Sequence, residues 1–336
     1  MEFILMIAQD LFHDLINYPF YSAVIIIFVL GSLMHFYCRL TLGICDSHQD
    51  MRNKTVLITG ASAGIGKMTA MDMARRNARV LLACRNVEKA NKVAEEIKKT
   101  TGNQNVFVKV LDLTSFASVR ACAKSVLETE EKLHVLINNA GIAGLKNRKL
   151  TEDGCENTMQ SNHLGHFLLT LLLLDLLKRS SPSRIINVSS EAHRYQRLDI
   201  EDLSNKKGLN SIYVYGNTKL ANVLFTAELA DRLQGSGVTV NSLHPGVVNS
   251  DFLTPLDGLY SILMRILFFV VGKTSEEGAQ TTIQLAVDPR LEKTTGKYFA
   301  DCKKKSVTRA ARNKLLAKRL FEVSEKIVGE SFCKKQ

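Results

Sequence analysis

The sequence predicts an α/β fold: a doubly wound parallel sheet of about seven strands, preceded by a transmembrane helix. Three observations predict it. Short β-rich runs alternate with helical stretches from Lys54 to Leu243, the pattern of a parallel sheet with right-handed crossovers and helices on both faces. The first strand runs directly into a glycine turn and then a helix. Ahead of these lies an uncharged apolar stretch of the length that crosses a bilayer.

Composition sets the bounds. With 336 residues, 46% of them apolar, and five prolines, the chain holds enough apolar surface for a sizeable core. The seven cysteines (Cys38, Cys45, Cys84, Cys122, Cys155, Cys302 and Cys333) are odd in number and without close pairs. They form neither a disulfide framework nor a zinc spacing and point to a reducing compartment. Much of the net charge of +11 lies in the last stretch, from Lys303-Lys304-Lys305 through Arg309, Arg312, Lys314, Lys318 and Arg319. No aromatic-interleaved basic platform or finger motif accompanies it, so nucleic acid is not expected as a partner. An anionic membrane surface is the functional reading; a solvated helix is the plain one.

The chain divides into an anchor and linker at 1–50, a catalytic domain at 51–302 and a basic helical tail at 303–336. Between Asp14 and Arg39 there is no Asp, Glu, Lys or Arg, and Phe20 to Cys38 is almost wholly apolar. Glu2, Asp10 and Asp14 precede the stretch, and Arg39, Arg52 and Lys54 follow it. The positive-inside rule then places the body of the protein in the cytosol. Tyr18, Tyr21 and Tyr37 suit interfacial anchors. The sequons at Asn53 and Asn187 would go unused. A buried core helix is the alternative.

Lys54–Thr59 reads as the first strand, followed by Gly60-Ala61-Ser62-Ala63-Gly64-Ile65-Gly66 and a helix through Met68 and Met73. Such a turn lets the backbone approach a pyrophosphate, and the helix N-terminus supplies N–H groups and dipole. Its spacing is G-x-x-x-G-x-G, unlike the usual dinucleotide fingerprint. The second strand, Ala78–Cys84, ends at Arg85. An acidic residue there would hold a ribose hydroxyl, whereas Arg suits a 2′-phosphate, so the reading is NADP(H), against a plain surface arginine. Asn86 to Lys99 is helical. Val106–Leu111 is a strand ending at Asp112-Leu113, placed to face an adenine. Ser115 to Glu130 is helical, and Leu133–Ile137 leads into Asn138-Asn139-Ala140-Gly141.

Glu152 to Lys178 reads as one long helix with Asn162 in mid-course, where Asn is a poor helix former. His163 and His166 lack an i, i+4 metal spacing, and no metal is expected. Arg184–Val188 is the fifth strand, ending at Ser189-Ser190, and the Ser190 hydroxyl suits a substrate carbonyl. The next helix carries Tyr215 and, four residues on, Lys219. That spacing puts a phenol and an ammonium on one face. A cation beside a phenol favours the phenolate and lowers its pKa, making Tyr215 a usable acid or base. An incidental pair on an ordinary helix is the competing reading. Val238–Leu243 is the sixth strand, ending at His244-Pro245-Gly246. Gly258 to Gly272 is apolar apart from Arg265 and too short to span a bilayer. Residues 252–274 are expected to form a hydrophobic substrate lid or interfacial helix, or a core helix with Arg265 snorkelling.

Gly60-x-x-x-Gly64-x-Gly66, Asn138-Asn139-Ala140-Gly141, Asn162, Ser190, Tyr215-x-x-x-Lys219 and Pro245-Gly246 occur in the order of the short-chain dehydrogenase/reductase family, which the chain resembles over about residues 52 to 300. In finer wording it resembles the microsomal retinol dehydrogenase branch, through Leu81–Arg85, Asn162–Thr170, Lys219–Phe225, His244–Val248 and Gly296–Phe299. The resemblance implies a Rossmann-like, NADP-dependent oxidoreductase interconverting retinal and retinol or similar lipophilic aldehydes and alcohols. It implies a single-pass endoplasmic reticulum protein with its catalytic domain in the cytosol; an oligomer is possible. Tyr215 would be the general acid or base and Lys219 would bind the nicotinamide ribose and lower the phenol pKa. Ser190 would orient the substrate oxygen, and Asn162 would hold a water that relays protons to Lys219. Gly60, Ser62, Gly64, Ile65 and Gly66 would cradle the pyrophosphate. Asn139 and Asp112 would line the adenosine side, Arg85, Leu113, Ala140 and Gly141 would also bind the cofactor, and Pro245, Gly246 and Val248 would meet the nicotinamide amide. Thr218 stands where the family often has serine, and Asn249-Ser250 where it often has threonine. A steroid or sterol dehydrogenase, or a catalytically silent cofactor-binding scaffold on the membrane, are the alternatives.

Overall fold

A computed structural model describes residues 19–143, 149–204, 211–248 and 272–332. The chain forms two compact units. One comprises Met1–Leu42 and Leu256–Gly272, the other Gly43–Pro255 and Lys273–Gln336. Residues 43–50 and 303–336, expected as linker and tail, therefore group with the catalytic body.

In the first unit, helix α1 (Pro19–Leu40) covers the apolar stretch. Its Phe28, Leu30, Leu33, Phe36 and Leu40 are all exposed. Among the described residues, no helix is long and apolar enough to cross a membrane. The expected lid at 252–274 lies almost wholly outside the described residues, as do Asn249 and Ser250.

The second unit is built on an eight-stranded sheet in the order β3-β2-β1-β4-β5-β6-β7-β8. Its strands are β1 (Thr55–Thr59), β2 (Arg79–Cys84), β3 (Val106–Val110), β4 (Val135–Asn138), β5 (Ser183–Val188), β6 (Val238–His244), β7 (Lys297–Ala300) and β8 (Lys303–Lys305). The first seven run parallel, and β8 pairs antiparallel with β7. Lys303–Lys305 thus opens an edge strand and not a helical tail. Three exposed lysines there keep the edge from pairing with another chain.

Alternation along the strands makes two cores. Leu57, Leu81, Leu136, Ile185 and Val240 point to one face. They pack under α4 (Phe116–Thr129), α6 (Gly165–Arg179), α7 (Ser211–Arg232) and α9 (Lys314–Val328). Val56, Ile58, Val80, Leu82 and Ile137 point to the other, under α2 (Gly64–Arg75), α3 (Val87–Thr101) and α8 (Ser275–Val287). Strands buried on both sides must be apolar almost throughout, as these are. The helix starts carry their own signals. Asn86 and Ser115 cap α3 and α4, and Thr274 with Glu277 forms a capping box on α8.

Helix α9 belongs to the core. Its Leu320 and Phe321 are fully buried, and Phe321 meets Phe167 with ring centroids 4.9 Å apart. The basic residues of this stretch decorate the outward face.

The stretch expected as one helix from Glu152 begins instead at α5 (Asn157–Met159) and continues through a π turn, Gln160–Leu164, into α6. Glu156 caps it, its side chain accepting from Met159 N. The π turn inserts one residue into the helical ladder, a device common at functional sites. It carries Asn162 and His163.

Candidate active site

The strand order reverses between β1 and β4, and a cleft of ≈ 920 Å³ opens there at the carboxyl ends of the strands. This is where open α/β sheets bind ligands. Every residue expected at the site except Asn162 lines it.

The glycine turn is shaped by close approach. Gly60 and Gly64 take positive φ of 67° and 53°, which disfavours any side chain. A Cβ on Gly66 would lie 2.5 Å from the Gly60 carbonyl oxygen and 2.6 Å from Asn139 Nδ2. Ala63, the N-cap of helix α2, offers no side-chain cap, so the helix's first N–H groups remain for an anion at the dipole's positive end. Asn139 donates from Nδ2 to Thr59 O at 2.8 Å, and the N–H groups of Asn139 and Ala140 both donate to Thr59 Oγ1 at 2.9 Å. The turn after β4 is thereby tied to the end of β1.

Arg85 is exposed at the end of β2, beside Ser62, Asn86 and Lys89 on the cleft wall. The Asp112 carboxylate takes the Thr114 N–H at 2.9 Å and its hydroxyl at 2.7 Å, so this strand end is rigid. Uncapped helix, positive-φ glycines and two cations at the far end form a donor set that suits a dinucleotide carrying an extra phosphate. Sequence reasoning missed Lys89. A lysine in a first helical turn opposes the dipole, and that misfit is the signal that marks it. It also missed Ser161, His244 and Ser275, which line the cleft but whose residue types carry no local signal.

At the other end, Lys219 is buried and donates from Nζ to the Val188 carbonyl at 3.1 Å. Its Nζ is 5.5 Å from the Tyr215 ring centroid. Burial lowers the Lys219 pKa to about 8, which leaves most of the ammonium charged at neutral pH. The Tyr215 phenol moves opposite to the sequence expectation: burial pushes it up to about 12, and its hydrogen bond with Ser190 offsets this only in part. Desolvation of the phenolate is the larger cause, and the Ser190 hydrogen bond the smaller one. Ser190 also accepts from Ala192 N at 3.2 Å, which fixes its rotamer.

Asn162 sits just behind this pair. Its Oδ1 accepts from Ile142 N at 2.8 Å, and its Nδ2 donates to Ile142 O at 2.9 Å and Thr218 Oγ1 at 3.2 Å. Its carbonyl accepts from His166 Nδ1 at 3.2 Å and Asn222 Nδ2 at 3.1 Å. Two side chains thus reach that oxygen. Thr218, the mild departure from the family pattern, passes the link on by donating to Tyr215 O at 2.7 Å.

The chain matches the short chain dehydrogenase family over residues 54–258. It belongs to that family. This short-chain dehydrogenase, an oxidoreductase, is 48% identical to retinol dehydrogenase 11 of Homo sapiens over 86% of its own length and 90% of the relative's. It is 48% identical to retinol dehydrogenase 12 of Mus musculus, with 85% and 90% covered. Among solved structures, an uncharacterized protein from Mycobacterium Paratuberculosis superposes with a TM-score of 0.69 at 31% identity, covering 87% of this chain and 99% of that one. A short chain dehydrogenase from Escherichia coli CFT073 complexed with NADPH superposes with a TM-score of 0.60 at 26% identity, covering 76% and 100%.

The dehydrogenase holds His163 and His166 buried next to its site. Burial lowers the pKa of His163 to about 4 and of His166 to about 3. Between those values and the ordinary value of 6.5 the unfolded chain binds protons that the native one refuses. Stability therefore rises with pH across that window and levels off above it. The melting temperature is expected to fall steadily as pH drops from 6.5 towards 4. A His166→Gln variant should show a shallower slope, and equal slopes would contradict the burial argument.

Proposed function

We propose that this protein is an NADP(H)-dependent oxidoreductase that interconverts retinal and retinol, or similar lipophilic aldehydes and alcohols, on a membrane surface. The observation that carries the reading is the placement of Ser190, Tyr215 and Lys219 on one wall of a cleft whose far end holds the glycine turn and Arg85. The relatives named retinol dehydrogenase supply the substrate class, and the neighbour solved with NADPH supports the cofactor.

NADPH, when bound, supplies the hydride. Gly60, Ser62, Gly64, Ile65 and Gly66 would hold its pyrophosphate, with Arg85 and Lys89 on the extra phosphate. Asp112, Leu113, Asn139, Ala140 and Gly141 would line the adenosine side, and Pro245, Gly246 and Val248 the nicotinamide. Ser190 donates a hydrogen bond to the substrate oxygen and orients it. Tyr215 keeps its proton at neutral pH because its pKa lies near 12, and it gives that proton to the developing alkoxide in reduction. The buried Lys219 ammonium stabilises the phenolate left behind. In the reverse direction the same phenolate takes the alcohol proton.

The membrane reading rests on α1, whose exposed Phe28, Leu30, Leu33, Phe36 and Leu40 have no place in water. The charge asymmetry around it favours a cytosolic catalytic unit in the endoplasmic reticulum. Full-length protein in microsomes tests both parts. NADPH oxidation with a panel of retinal, a steroid ketone and a small soluble aldehyde should be fastest with retinal. Carbonate washing should leave the protein in the pellet, and protease added outside should digest the catalytic unit. Faster turnover of the steroid would reassign the substrate class; release by carbonate would remove the anchor.

A further inference from the structure

Behind Lys219 lies a chain of buried polar groups that spans the catalytic face. Asn222 is on α7, one turn after Lys219, and is 5% exposed. Its Nδ2 donates to the Asn162 carbonyl at 3.1 Å and to the Val188 carbonyl at 3.3 Å. Both partners can only accept, so the amide orientation is fixed without ambiguity. Its Oδ1 then faces His163 Nδ1 at 3.2 Å, and that nitrogen must carry the proton. A neutral imidazole has one N–H, so His163 Nε2 accepts, and Ser324 Oγ donates to it at 3.1 Å. Ser324 is on α9 and fully buried. Each donor and acceptor along this chain is matched in one direction only.

The chain ends on the oxygen that Lys219 uses. Val188 O takes Lys219 Nζ at 3.1 Å and Asn222 Nδ2 at 3.3 Å. Two donors on one carbonyl fill both lone pairs. They join α7 to the end of β5, beside Ser189 and Ser190. The Asn162 carbonyl adds the π turn to the same amide. His166, donating to that carbonyl and lying 2.8 Å from Thr59 Oγ1, extends the tie to the turn after β4.

We propose that Asn222, oriented by His163 and by Ser324 of the C-terminal helix, is a positioning residue that clamps the Val188 carbonyl and so sets where the Lys219 ammonium sits. His163 and Ser324 act through it. The inference rests on the reading that Tyr215 and Lys219 perform the proton transfer. It gives the last helix of the chain a role in the reaction as well as in the core. An ammonium displaced from the phenol by a fraction of an ångström stabilises the phenolate less, so the loss falls on the chemical step.

The test uses full-length protein in microsomes, with NADPH and retinal. Asn222→Leu keeps the side-chain volume and removes every hydrogen bond. It is expected to lower kcat about 3- to 10-fold, as for a lost hydrogen bond between neutral groups, while KM for both substrates stays within about twofold. His163→Phe suits the neighbouring rings of Phe167 and Phe225 and should lower kcat by a smaller factor, as should Ser324→Ala. Because the three act in series, the double variant His163→Phe/Asn222→Leu should be no slower than Asn222→Leu alone. If Asn222→Leu does not fold, the His163→Phe and Ser324→Ala pair carries the same non-additivity test. Unchanged kcat with a lower Tm overturns the clamp, and so do losses that multiply. Tyr215→Phe run alongside separates the two levels: if it keeps full activity, the proton-transfer reading fails and the clamp with it, whereas an inactive Tyr215→Phe beside an unaffected Asn222→Leu refutes the clamp alone.

Discussion

Replacing Tyr215 with phenylalanine is expected to reduce retinal reduction by about 10²- to 10⁴-fold, the usual worth of a positioned general acid. NADPH binding, read by quenching of protein or cofactor fluorescence, should remain close to wild type. The ring keeps its place because the backbone around it is held elsewhere, through Thr218 Oγ1 on the Tyr215 carbonyl and Asn162 behind it. Only the proton is removed. The wild-type pH dependence follows from the same geometry. The phenol, raised to about 12, holds its proton throughout the physiological range. The Lys219 ammonium, lowered to about 8, loses its charge first. Reduction should therefore decline as pH rises through about 8, because the phenolate left by proton transfer then has no cation beside it. Oxidation of retinol begins from the phenolate and should favour higher pH than reduction does. A Tyr215→Phe enzyme that reduces retinal at the wild-type rate would end the mechanism.

Arg85→Asp is expected to turn cofactor preference from NADPH towards NADH. Arg85 is exposed at the end of β2, with Lys89 one helical turn into α3 on the same cleft wall. A phosphate there gains a bidentate, charge-assisted partner worth about 1.5–3 kcal/mol. Loss of that contact alone raises KM for NADPH about 10- to 100-fold. The new carboxylate adds repulsion for the phosphate, and it offers an acceptor to a bare ribose hydroxyl. KM for NADH should fall accordingly, while kcat with either cofactor stays near wild type, since the substitution is at the far end of the cleft from Tyr215. An unchanged NADPH/NADH ratio would mean that Arg85 is only a surface residue.

Much of this architecture was legible in the residues because it is set locally. A strand, a glycine turn and a helix in succession make an anion cradle wherever they occur. Four residues of helix put Tyr215 and Lys219 on one face whatever surrounds them. Alternating β-rich and helical runs leave few ways to build the sheet, and the strands at Thr55, Arg79, Val106, Val135, Ser183 and Val238 start within two residues of where the pattern places them. The cation expected at the end of the second strand, Arg85, is likewise read from its place directly after β2.

Other features depend on what lies far away in the chain. The basic residues after Lys303 look like a solvated tail, yet β8 pairs with β7 and α9 buries Leu320 and Phe321 against α6 and α7. Charge on one face of a helix says nothing about what covers the other. Asn162 reads as a residue in mid-helix; in the structure it lies in the π turn, with its side chain on Ile142 and its carbonyl on Asn222. His163 and Ser324 meet across 161 residues of sequence, a contact no spacing rule contains. The clearest case is the pair Tyr215 and Lys219. The sequence by itself determined that a phenol and an ammonium share a helix face, because the helical repeat is a property of the backbone. Whether that ammonium lowers the phenol pKa or burial raises it depends on how much water the surrounding strands and helices exclude. Only the tertiary structure decided that, and it decided for burial.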